Sequence, residues 1–149
     1  MRITLERLNN ATHFRARTPD DVSIEIDGSA EVGGLNLGIR PMQMLLAALG
    51  GCSGIDVVMV LQKKRQKLDT LVIDVDGDST SVEDHSVWTQ IHVTFTMTGG
   101  IEPDKARHAI DLSLGKYCSV AKTLEVFATI TYTLVVNDVV IADRAKAVA

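Results

Sequence analysis

The sequence predicts an α+β fold in a single domain. Three observations carry that expectation: short stretches of alternating apolar and polar residues, one long stretch that is apolar on all sides, and a shorter stripe at helical spacing after Pro103. At 149 residues, 46% hydrophobic and 23% charged, the chain is long enough to bury one core and too short to favour two.

Residues 1–40 hold the alternations Ile3/Leu5 and Val22/Ile24/Ile26, separated by Asn9-Asn10, Pro19-Asp20-Asp21 and Asp27-Gly28. Period-two alternation between turn formers predicts short strands. Gly33, Gly34 and Gly38 lead to Pro41, whose missing N–H costs nothing in the first turn of a helix. That helix is predicted from residue 41 to about 64. Its basic end, Lys63, Lys64 and Arg65 with Lys67 just beyond, complements the negative pole of the helix dipole. Strands follow at 70–76 and 87–97. The second places Val87, Thr89, Ile91, Val93, Phe95 and Met97 on one side, and Trp88, Gln90, His92, Thr94 and Thr96 on the other. A second helix opens at Pro103, aligns Ala106, Ala109, Ile110, Leu114 and Tyr117 along one stripe, and ends at Cys118. The last strand, 126–136, alternates Val126, Ala128, Ile130, Tyr132 and Leu134 with Phe127, Thr129, Thr131 and Thr133. The domain spans residues 1–137; residues 138–149 form an Ala/Val-rich C-terminal tail, either a short helix or disordered.

A net charge of −4, from 15 Lys+Arg against 19 Asp+Glu, gives no pull toward phosphate backbones, and the 4% of aromatic residues are not interleaved with basic ones. Nucleic acid is not expected as a partner. The opening residues alternate charged and apolar side chains instead of building a secretory signal, so a cytoplasmic protein is expected. Residues 42–61 are long enough to span a membrane, but they include Gln43, Ser53 and Asp56 and precede a long strand-like sequence. A buried core helix is the better reading, with no membrane partner. A helix apolar all round must be enclosed on every side, and one chain of this size has too little else to do it. The missing cover is predicted to be a second copy, giving an obligate homodimer.

The chain has two cysteines, and a reducing compartment disfavours a structural disulfide between them. Cys52 shares a helix face with Leu45, Ala48, Leu49, Ile55 and Met59, so it is either a small buried hydrophobe or a thiol in an apolar pocket open to an organic peroxide. The second use requires a cation. The Cys52 face offers only Asp56, which opposes thiolate formation, so the charge must come from another segment. Cys118, in Lys116-Tyr117-Cys118-Ser119-Val120, lies between a helix end and a further turn, where free N–H groups, Lys116 and Lys122 favour a thiolate. No C-x-x-C, H-x-x-x-H or H-E-x-x-H is present, and His13, His85, His92 and His108 are scattered, so neither metal nor cofactor is expected. Gly50-Gly51-Cys52-Ser53-Gly54 lies inside an apolar helix, where close backbone packing explains small residues better than phosphate binding.

The stretch from Arg40-Pro41-Met42-Gln43-Met44 through Leu49-Gly50-Gly51-Cys52-Ser53-Gly54-Ile55-Asp56-Val57-Val58 resembles the first cysteine helix of the OsmC/Ohr family. Glu102 through Cys118-Ser119-Val120, then Leu124 and the strand to Val136, resembles that family's second cysteine region. The resemblance implies an intertwined homodimer in which antiparallel sheets wrap two long central helices, with active sites at the interface. It also implies that Cys52 attacks the hydroperoxide and becomes a sulfenic acid, that Cys118 resolves it as a disulfide, and that a dithiol reductant restores the pair. The family's peroxidases activate the thiolate with an arginine held by a glutamate. Here the glutamate position falls on Met42, with Gln43 beside it, and the candidate arginines are Arg15, Arg17 and Arg40. The likeness is therefore closer to the OsmC-like branch than to dedicated organic hydroperoxide reductases.

Two functions are expected of such a chain. The first is a thiol-dependent peroxidase for organic hydroperoxides, with Cys52 as nucleophile, Cys118 as resolver, one arginine as thiolate stabiliser, and Met42, Gln43, Leu49, Asp56 and Met59 about the substrate. The alternative is a non-catalytic protein that holds a small hydrophobic ligand in a dimer-interface pocket lined by Met42, Met44 and Met59.

Overall fold

The N-terminal alternation forms three short strands, β1 (Thr4–Arg7), β2 (Phe14–Arg17) and β3 (Ser23–Ile26), in an antiparallel sheet of order β1-β2-β3. The computed structural model describes residues 1–148, and the chain divides into two compact units, Met1–Leu45 and Leu46 onward. In the first unit the buried Asp27 organises the loop after β3. Its Oδ2 accepts the N–H groups of Leu35 (2.9 Å) and Leu37 (3.1 Å), and its Oδ1 accepts the Gly28 N–H (2.8 Å) and the Thr12 hydroxyl (2.8 Å). One carboxylate thus satisfies donors that a loop leaves unpaired.

Helix α1 runs Pro41–Lys63, as the proline and the basic end predict. The Gln43 side chain reaches back to accept the Arg40 N–H (3.1 Å), half of a capping box. At the other end the N–H of Gln66 donates to Leu61 O (3.0 Å) and that of Arg65 to Gln62 O (2.9 Å), with Arg65 at φ +55° in the place glycine usually takes. The helix is long and apolar enough to cross a membrane. Its Leu49, Val57 and Leu61 are instead buried in a core with strand residues of the second unit. At Gly54 a Cβ would lie 2.7 Å from Ile73 Cδ1, so the helix backbone passes close to the sheet there.

In the second unit β4 (Lys67–Val82) and β5 (His85–Gly100) form a long hairpin. Helix α2 (Pro103–Leu112), a π-helical turn (Ser113–Tyr117) and helix α3 (Ser119–Leu124) then carry the chain to β6 (Thr129–Val136), which runs parallel to β5. That crossover makes the sheet mixed, with β4-β5 and the final pair, β6 with β7 (Val139–Ala145), antiparallel on either side of one parallel pair. Ile91, Val93, Phe95 and Met97 of β5 are buried, as the alternation predicts, with Ala106, Ala109 and Ile110 of α2 and Tyr132 and Leu134 of β6.

Three elements differ from expectation. Most of the tail is strand instead of helix or disorder: β7 (Val139–Ala145) pairs back on β6, with Val136 facing Val139 across the two-residue turn Asn137-Asp138. Both turn residues have positive φ (+48° and +66°), the conformation that matches hairpin twist. The preceding strand starts at Thr129 and not at Val126, and Val126 and Phe127 stay exposed. The second helix reaches Cys118 as expected, but its last turn, Ser113–Tyr117, is π-helical; the extra residue in that turn shifts the predicted stripe and leaves Tyr117 exposed.

Candidate functional site

Cys52 sits in the middle of α1, half-buried, and Asp56 follows one helical turn later on the same face. Cys118 is buried in the crossover, where the π turn ends: its N–H reaches back five residues to Ser113 O (2.9 Å). It adopts an extended conformation and caps α3, its Sγ accepting the Ala121 N–H (3.3 Å). These two segments, remote in sequence, converge. Cys52 Sγ, a carboxylate oxygen of Asp56 and Cys118 Sγ all lie within 4.8 Å of one another.

Asp56 is held from the crossover side. The Ser113 hydroxyl donates to its Oδ2 (3.0 Å), with the Ser53 carbonyl of α1 as a second acceptor at 3.3 Å. Sequence reading missed Ser113, although the signal was present. It occupies the apolar stripe of Ala106, Ala109, Ile110 and Leu114, and a polar residue on a buried stripe must find a partner. Burial, and then its hydrogen bond with Cys52, push the Cys118 thiol up to about 12, against the smaller opposing effect of the Ala121 and Val120 N–H groups. At neutral pH Cys118 is therefore a protonated thiol.

The three candidate arginines lie in the first unit, each with an acceptor there. Arg15 Nε donates to Glu25 Oε1 (2.7 Å), its cross-strand neighbour, and Glu25 also meets His13 Nε2 (2.7 Å). The Arg15 hydrogen bond is the largest cause that lowers the Glu25 pKa. Arg17 Nη1 donates to Asp21 Oδ1 (2.6 Å), and Arg40 Nη2 to Asn36 Oδ1 (2.9 Å). Of the expected pocket residues, Asp56 is brought to the sulfurs and Leu49 is sealed in the core. Met42 is half-buried, and Gln43 is exposed and occupied as a cap. Met59 is 49% exposed, on an apolar α1 face with Leu45 (41%) and Ile55 (64%).

An α+β chain whose long apolar helix and parallel crossover each deliver one unbridged cysteine to the same point is a dithiol protein by construction of its fold. The family model described as OsmC-like protein matches residues 33–133, and the chain belongs to that family. It is 45% identical over 97 residues to Protein YhfA of Escherichia coli, a match that covers 62% of this chain and 69% of that one. Among solved structures it is similar to a hypothetical protein from Aquifex aeolicus, with a TM-score of 0.79 and 27% identity over 91% of this chain and 95% of the other. It also shares the fold of an organic hydroperoxide resistance protein OsmC from Legionella pneumophila, with a TM-score of 0.69 and 12% identity over 91% and 97% of the two chains.

Proposed function

We propose that this protein is a thiol-dependent peroxidase that reduces organic hydroperoxides in the cytoplasm. The observation that carries the reading is the convergence of Cys52 and Cys118 from separate segments to within 4.8 Å. The accessible thiol attacks and the buried one resolves. Cys52 is the half-buried member, so its sulfur takes the terminal peroxide oxygen, giving a sulfenic acid and releasing the alcohol. Cys118 then displaces water from that sulfenic acid, forming the Cys52–Cys118 disulfide, and a dithiol reductant returns both thiols. A resolving thiol benefits from staying protonated and unreactive until the sulfenic acid forms beside it, which suits the buried Cys118.

The working unit of this reading is a homodimer. The apolar face of α1 at Leu45, Ile55 and Met59 is what a second copy would cover, and burying it would surround Cys52 with apolar surface. One of Arg15, Arg17 and Arg40 then supplies the cation that stabilises the attacking thiolate.

The test is consumption of an alkyl hydroperoxide by the purified protein with a dithiol. Turnover is expected to vanish in Cys52→Ser. In Cys118→Ser a sulfenic acid trappable by dimedone should accumulate after one turnover. A rate indifferent to Cys52→Ser ends the peroxidase reading.

A further inference from the structure

Two thiols and a carboxylate make an unusual cluster for a peroxidase, because Asp56 opposes the negative charge that Cys52 needs. The lysines near Cys118 in sequence are engaged elsewhere: Lys122 pairs with Glu125 (3.1 Å), and Lys116 lies over the Tyr117 ring, 5.8 Å from its centre. We propose that Cys52, Asp56 and Cys118 form a binding site for a borderline-soft divalent transition-metal ion of the zinc type.

The donor set fits such an ion. Two sulfurs select against magnesium and calcium, and the carboxylate completes three protein ligands. Zinc bonds of about 2.3 Å to sulfur and about 2.1 Å to oxygen separate tetrahedral ligand atoms by roughly 3.5–3.8 Å, so a trio already within 4.8 Å has to close by at most about an ångström. Its surroundings match what a metal needs. The Ser113 hydroxyl already orients the Asp56 carboxylate (3.0 Å), and the Ala121 N–H already points at Cys118 Sγ (3.3 Å). Three protein ligands leave the fourth tetrahedral position to water or a small thiol, the pattern of an exchangeable ion and not of a closed structural site.

The ion would also guard the thiols, since a sulfur bonded to metal has its lone pair occupied. Oxidation by an organic hydroperoxide, the substrate class proposed above, removes two electrons from the sulfurs, joins them as a disulfide, converts peroxide and two protons into alcohol and water, and frees the ion. This release rests on the peroxidase reading. The binding does not.

The experiment titrates the reduced, full-length protein with Co2+ alone under nitrogen. One ion per chain is expected, with sulfur-to-cobalt charge-transfer absorption and displacement by Zn2+. Asp56→Asn, which keeps both thiols, should weaken binding at least about tenfold, as should Cys52→Ser and Cys118→Ser. Binding unaltered in both serine variants, or absence of the charge-transfer band in the unsubstituted protein, overturns the site. Adding an alkyl hydroperoxide to the zinc-loaded protein with a chromogenic chelator separates the two readings. Release matched to disulfide supports both, and retention with intact thiols supports the site while the peroxidase reading then stands or falls on turnover by the metal-free protein. Peroxide turnover in a protein that binds no Co2+ overturns the site alone.

Discussion

Asp27 holds its carboxyl at about 2, down from an ordinary 3.8, chiefly because the Leu37 N–H donates to it, helped by Leu35, Thr12 and Gly28. A carboxylate depressed by folding stabilises the native state above its unfolded pKa, and that contribution is lost as pH falls from 3.8 toward 2. Asp27→Asn should therefore melt well below the parent at neutral pH, and the gap should narrow as pH approaches 2; a gap constant across this range would show that Asp27 contributes no charge-dependent stability. Cys118 has the opposite sign. Its folded pKa is raised from 9.0 to about 12, so the stability it contributes is present below 9.0 and fades as pH climbs toward 12. The two groups sit in different units and act at opposite ends of the pH scale.

At the scale of elements, the turn at Asn137-Asp138 decides whether the chain ends in a strand. Asp138 holds φ +66°, which costs an L-residue energy that glycine does not incur. Asp138→Gly should raise stability by about 1 kcal/mol in urea unfolding, and Asp138→Val should lower it; if neither moves the midpoint, β7 contributes nothing to the fold. This strand was hard to read because Val139-Val140-Ile141 is a continuous apolar run, without alternation, after a turn that lacks glycine. Helix α1 was legible to within a residue, because Pro41 marks one end and a basic cluster the other, and β5 was legible because its inner face alternates over a long span. The site was legible only in part. Spacing flagged Cys52 and Cys118 separately, and their pairing came from the resemblance, since a π turn whose widening no residue pattern announces sets the direction of Cys118. Periodicity places Ser113 on the buried stripe and so implies a partner, but which partner is settled by a contact with another segment, which periodicity does not report.

At the scale of the whole molecule, the question is what covers α1. Gly51 lies on the exposed side of that helix, and a Cβ built there would meet nothing within 4 Å. An exposed glycine in a helix interior costs about 1 kcal/mol relative to alanine, so packing within one chain does not account for it. A second α1 laid against the first would, because small residues such as Ala47, Ala48 and Gly51 let two helix backbones approach while Leu45, Ile55 and Met59 bury their side chains around the crossing. Gly51→Leu should then shift the protein from dimer to monomer in sedimentation velocity with little loss of helical circular dichroism. The substituted protein should also lose peroxide turnover, because Cys52 borders the same face and would face water instead of an apolar wall. A Gly51→Leu protein that sediments as the parent does, with the parent's turnover, would mean that α1 does not meet its copy.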